Sequence, residues 1–139
     1  MSPHPQPSGS ELPARLLLYG RDAALLGTRR MVLEKVGFQV WTATLLSEVR
    51  NTLATEQIDL IILGHTLSIE QSEEALAAAQ PYGSALKIFI LAEDRSVWDR
   101  VDHHEVLGPF DPFEGPDALI AAVKRALILQ ETKEMLERL

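Results

Sequence analysis

The feature that most constrains this chain is a set of short, unbroken apolar runs set between segments of helical period. Arg15-Leu16-Leu17-Leu18-Tyr19, Asp59-Leu60-Ile61-Ile62-Leu63 and Leu86-Lys87-Ile88-Phe89-Ile90-Leu91 show no apolar/polar alternation. A strand with that pattern has both faces buried. Burying both faces of a sheet requires helices on each side, and the intervening segments supply them. Asp22 is placed to cap a helix through Lys35, with Leu25, Leu26, Arg29, Val32, Leu33 and Val36 on one face and Gly37 as its stop. Phe38 to Ala43 is a second strand, rich in aromatic and β-branched residues. Leu45 to Glu56 and Ile69 to Ala79 are further helices, the latter ended by Pro81 and Gly83. Val106-Leu107 forms a short fifth strand before Pro109, and Pro116 opens a last helix from about Asp117 to Arg138.

Alternating strands and helices predict parallel pairing, and right-handed crossovers leave few topologies for five strands. The expected fold is α/β, a flavodoxin-like doubly wound five-stranded parallel sheet in the order 2-1-3-4-5. Ligands in such sheets bind at the carboxyl ends of the strands. Chemistry is therefore expected around Gly20–Asp22, Gly64–Thr66, Ala92–Asp94 and Gly108–Phe110.

Composition narrows the functional classes. The chain has 139 residues, the size of one domain. Thirteen basic and 20 acidic residues leave a net charge of −7, which disfavours nucleic acid and anionic membrane as partners. There are no cysteines, so disulfides and thiolate chemistry are excluded. No apolar run approaches the ~18 residues of a membrane span, and no secretory leader is expected. Residues 1–13, MSPHPQPSGSELP, are expected to be a disordered tail; residues 14–127 form the domain and 128–139 extend its last helix. The expected location is cytoplasmic.

The order and punctuation of these elements resemble the receiver domain of bacterial response regulators, from about Arg15 to Leu127. Asp59 to Leu63 looks like that family's third strand, and Gly108-Pro109-Phe110 like its Lys-Pro-Phe element. The resemblance implies an acidic pair for Mg²⁺ after the first strand, and the matching positions are Gly20 and Arg21. It implies a phospho-accepting Asp after the third strand, where this chain has Gly64. It implies a Thr or Ser after the fourth strand and a Lys before the Pro; here they are Ala92 and Gly108. Gly108 comes only sixteen positions after Ala92, so a shortened fourth helix is expected. The resemblance thus implies a degenerate receiver, a pseudo-receiver with no catalytic residues, no metal and no cofactor.

Other motifs carry less. Arg21 at a helix N-terminus is placed to attract an anion, but the loop is neither a Walker A nor a dinucleotide fingerprint. His65 stands alone in a loop, without the partners a nucleophile needs. Asp102-His103-His104-Glu105 contains metal-binding residue types, yet consecutive residues converge poorly on one ion. Glu70, Glu73 and Glu74 fit a solvated face. Trp98, among Arg95, Asp99 and Arg100, is an interface candidate.

The last helix changes face along its length. Leu119, Ile120, Val123 and Leu127 are spaced to cover a sheet. Beyond them Ile128, Thr132, Met135 and Leu139 fall at i, i+4, i+7 and i+11, flanked by Leu129 and Leu136. At ~100° per residue this second stripe is turned away from the first. A homodimer through this stripe is expected. The function expected overall is a non-catalytic, phosphorylation-independent signalling module of the two-component and phosphorelay type, acting by protein–protein contact. The alternatives are a small-ligand binder at the vacated strand ends and an orthodox phospho-accepting response regulator.

Overall fold

The computed structural model describes residues 13–91, 106–110 and 115–137, with side chains described for 13–83, 85–91 and 115–128. The strands are β1 (Arg15–Tyr19), β2 (Gln39–Ala43), β3 (Leu60–Leu63), β4 (Lys87–Leu91) and β5 (Val106–Phe110). The helices are α1 (Ala23–Lys35), α2 (Leu46–Thr55), α3 (Ile69–Ala79) and the C-terminal helix (Pro116–Glu137). All pairings are parallel and the sheet order is β2-β1-β3-β4-β5. From β2 to β4 the register is unbroken, while β5 joins β4 with a shift between Phe89 and Leu91.

The apolar runs divide by parity, as a strand with two buried faces must. Leu17, Tyr19, Ile61, Leu63, Ile88 and Ile90 face a core closed by Val49, Leu53, Ala75 and Ala79 of α2 and α3. Leu16, Leu18, Leu60, Ile62, Phe89 and Leu91 face the other, closed by Leu26 and Leu33 of α1 and Val123 and Ala126 of the C-terminal helix. Central strands with both faces covered bring their carboxyl ends into one row, which positions the site.

Local chemistry sets the boundaries. Asp22 Oδ1 accepts from Leu25 N at 3.1 Å, capping α1. Ser68 and Gln71 form a reciprocal capping box at α3. A 3₁₀ segment, Gln80–Ala85, follows α3, and Gly83 within it has φ +59°, a conformation that favours glycine.

Three local expectations are corrected. Val36 is not part of the buried face of α1: it is the C-cap and is 43% exposed. Asp59 is not the first residue of β3; it precedes the strand, and its Oδ2 accepts from Arg15 N at 2.8 Å. The fifth strand does not stop before Pro109 but runs through it to Phe110. It is an edge strand, where a residue without an N–H is tolerated. The shortened fourth helix and residues 1–12 of the expected tail lie outside the described residues.

Candidate functional site

The chain enters the strand-end row through two glycines. Gly20 follows β1, and Gly20 N donates to Ala43 O of β2 at 3.2 Å. Gly64 follows β3, and Gly64 N donates to Tyr19 O at 2.8 Å. Both glycines are buried. A Cβ on Gly64 would stand 3.6 Å from Gly20 Cα, so the two positions are brought together. The next turn is closed by Leu67 N donating to Gly64 O at 3.3 Å. Thr66 ties the two loops: its Oγ1 accepts from Arg21 N at 2.9 Å.

Sequence reasoning placed Arg29 on the packed face of α1 but missed its role. It is only 7% exposed, and its guanidinium reaches the strand ends. Nη1 is 3.8 Å from where a Cβ on Gly64 would stand, and Nη2 is 3.4 Å from His65 Nδ1. Burial pulls its pKa below the ordinary arginine value, while the Asp22 carboxylate acts in the opposite direction. An arginine remains charged under such a shift. The signal available in the sequence was a cation at i+3 and i−4 from Leu26 and Leu33, the two buried leucines of α1.

Below these loops lies Tyr19, 1% exposed. Its hydroxyl pKa is raised, first by burial and then by the Glu74 charge. Tyr19 is therefore a neutral core residue at physiological pH.

The implied Mg²⁺ does not fit the residues present. A hard divalent cation needs several oxygen ligands, carboxylates above all. Gly20 and Gly64 offer no side chain, and Arg21 and Arg29 bring positive charge to the same place. Among the described residues no three of His, Asp and Glu come together as a metal site.

Arg21 is exposed beside Gly20. Gly108 lies in β5. Ala92 and Trp98 lie outside the described residues, as do Leu139 and the Asp102–Glu105 string. Of the C-terminal stripe, Ile128 is 60% exposed. Leu129, Thr132, Met135 and Leu136 lie on the described helix, their side chains outside the described ones. Among the described residues no helix is long and apolar enough to cross a membrane.

No protein-family model matches the chain, and neither does any curated protein. Among solved structures it is similar to the signal receiver domain of an HD domain-containing protein from Pseudomonas fluorescens, at 19% identity and a TM-score of 0.74, covering 86% of this chain and 98% of that one. It is similar to a CheY-like response regulator receiver domain protein from Methanospirillum hungatei, at 19% identity and a TM-score of 0.75, covering 87% and 98%. A response regulator from Thermotoga maritima, solved in complex with Mg(2+)-BeF, matches at 18% identity and a TM-score of 0.70, covering 82% and 99%. At these identities the likeness establishes the fold: this chain has the parallel α/β architecture of response-regulator receiver domains.

Proposed function

We propose that this chain is a receiver-fold signalling module that works without phosphoryl transfer, a pseudo-receiver acting through protein contacts. One observation carries the reading. Where the resemblance places an acceptor carboxylate there is Gly64, and the charge that approaches it is the Arg29 guanidinium. Aspartyl phosphorylation needs a carboxylate oxygen as nucleophile and a bound cation to offset phosphoryl charge. Gly64 supplies no nucleophile. Gly20 and Arg21 supply no cation ligand. The module is accordingly non-catalytic.

The partner surface in this reading is the C-terminal helix. Its 22 residues span about 33 Å, while strands of four or five residues span roughly 17 Å. The last buried residues described on it are Val123 and Ala126, and Ile128 is 60% exposed. Self-association through this overhang is the simplest use of it.

The decisive experiment is intact-mass analysis after incubation with acetyl phosphate and Mg²⁺, beside an orthodox receiver as positive control. The expected mass is unchanged, and beryllofluoride with Mg²⁺ leaves the amide NMR spectrum unchanged. A phosphoryl adduct on this chain would overturn the reading.

A further inference from the structure

We infer that Arg29 is a positioning residue: its buried guanidinium lies across the β3–α3 loop and, together with Thr66, fastens that loop to the β1–α1 turn in one conformation, with no ligand between them. This goes beyond the absence of phosphoryl transfer, because it gives the strand ends a definite state and names the side chains that set it.

The first ground is the run of ties along the loop. It joins Leu63, the end of β3, to Ile69, the start of α3. Gly64 N donates to Tyr19 O at 2.8 Å, Arg29 Nη2 lies 3.4 Å from His65 Nδ1, and Arg21 N donates to Thr66 Oγ1 at 2.9 Å. Three successive residues are thus held by β1, by α1 and by the turn between them. Leu67 N then donates to Gly64 O at 3.3 Å, and Ser68 caps α3. Loops are ordinarily the low-stability part of a fold. Here every residue from Gly64 to Ser68 carries a bond.

The second ground is closure. A Cβ on Gly64 would meet Tyr19 O at 3.2 Å and Gly20 Cα at 3.6 Å, and a Cβ on Gly20 would meet Thr66 Oγ1 at 3.3 Å. The two turns therefore touch through their backbones and leave no gap for a ligand to bridge.

The third ground is that stability alone does not account for Arg29. It shares the packed face of α1 with Leu26 and Leu33 and is itself 7% exposed. Arginine only donates, so its partner His65 Nδ1 is a neutral acceptor. Asp22 acts on the charge through space while its carboxylate caps α1. An apolar side chain of similar volume would avoid the cost of burying that charge. What the guanidinium adds is reach and a rigid planar fork. Nη2 meets His65, and Nη1 lies 3.8 Å from where a Cβ on Gly64 would stand, so one group spans two successive loop residues.

The test is amide hydrogen exchange on the full ¹⁵N-labelled chain, read by NMR beside the melting temperature. The Arg21, Gly64 and Leu67 amides of the parent should be protected with no ligand added. Arg29→Met should melt no lower than the parent, since it removes a buried charge. Its Arg21 and Leu67 amides should nevertheless exchange about five- to tenfold faster, with Leu17 in the centre of the sheet unchanged. Arg29 takes no part in the bonds of either amide, so a side chain that merely filled the core would not move them. Thr66→Val, which removes the acceptor of Arg21 N, should release Leu67 in the same way. Because both ties hold one loop, the double variant should accelerate Leu67 by less than the product of the single effects. Parent-like exchange of Arg21 and Leu67 in Arg29→Met would overturn the inference, and a full product in the double variant would show two independent contacts instead. An Arg29→Met chain that unfolds, or whose Leu17 amide accelerates in step, would make Arg29 ordinary support of the core and overturn it as well. Exchange rates and phosphoryl adducts are separate readouts, so failure here leaves the preceding reading intact, and an acetyl phosphate adduct would leave this one intact.

Discussion

Gly64 donates its N–H to Tyr19 O at 2.8 Å, and a Cβ on Gly64 would stand 3.2 Å from that same oxygen. The backbone of β3 thus approaches β1 too closely for an ordinary side chain to be added without movement. The oxygen belongs to a hydrogen-bonded central strand, so it cannot yield as a flexible side chain would. The φ of Gly64 lies outside the left-handed region, so the obstacle is the contact and not the backbone conformation. Gly64→Ala would gain up to about 1 kcal/mol from a stiffer unfolded chain. The contact with a fixed carbonyl should outweigh it, for a net loss of about 1 kcal/mol. Urea denaturation midpoints of the two chains measure this directly, and a midpoint equal to or above the parent's would refute it.

The same relationship predicts that a carboxylate at position 64 does not make this chain a phosphoryl acceptor. Gly64→Asp places a carboxylate beside Arg29, where the two charges pair. It creates no Mg²⁺ site, because Gly20 and Arg21 still provide no carboxylate. Intact-mass analysis of Gly64→Asp with acetyl phosphate and Mg²⁺ should show the unmodified mass. A phosphoryl adduct would mean that Arg29 substitutes for the metal.

The fold was legible in the sequence because its signals are local. Leu60 to Leu63 could only be a strand buried on both faces, and Asp22 and Gly37 punctuate α1 by chemistry confined to one turn. The glycines that follow β1 and β3 were legible too, since Gly20 and Gly64 each end an apolar run. Arg29 was not, because its role depends on a contact with His65, 36 positions away in the chain. In a helical pattern it is one residue on the packed face of α1. The continuation of β5 through Pro109 was missed for a similar reason. Pro is excluded from a central strand but allowed at an edge, and edge position is a property of the assembled sheet.

Arg15 joins three elements at the opposite end of the sheet. Its guanidinium lies 4.8 Å from the Trp41 ring centroid and pairs with Glu56 at 2.8 Å, while its backbone N–H is taken by Asp59 Oδ2. Both partners of the ion pair are about one-third exposed, so solvent screens it and the pair alone is worth little. The ring contact adds to it, since a guanidinium stacks where an ammonium does not. Arg15→Ala should cost about 1 kcal/mol, and Arg15→Lys should recover less than half. In a Trp98→Phe background, Trp41 emission should shift to longer wavelength in Arg15→Ala. Full recovery by lysine would show that charge alone matters.

Glu48 makes one end of the molecule sensitive to acid. Its Oε1 accepts from Thr44 N at 2.9 Å, Leu45 N at 3.1 Å and Thr44 Oγ1 at 3.1 Å, occupying N–H groups at the start of α2. These bonds, the Thr44 N–H first, hold its pKa below the ordinary 4.5. A pKa lower in the folded chain than in the unfolded one means stability that is full above the unfolded value. That stability is lost as pH falls through the folded one. The melting temperature should therefore decline below about pH 4.5, and Glu48→Gln should be less stable than the parent at neutral pH with a shallower acid decline. Parallel declines in the two chains would show that other carboxylates dominate.

The overhanging C-terminal helix makes the last prediction. Isolated helices of ten or so residues are marginal in water. Yet the helix continues to Glu137, well past the last buried residue described on it, Ala126. A second copy of the chain is the partner expected for this segment. Ile128, 60% exposed at the start of the overhang, is the place to break such a contact without disturbing the core. Ile128→Glu puts a charge into the expected interface while leaving Val123 and Ala126 in place. Multi-angle light scattering at high micromolar concentration should give a dimer for the full chain and a monomer for Ile128→Glu. The melting temperature of the variant should approach that of the parent when the parent is diluted to monomer. A monomeric parent would eliminate the homodimer, and an unchanged dimer in Ile128→Glu, and again in a chain ending at Leu127, would move the interface off this helix.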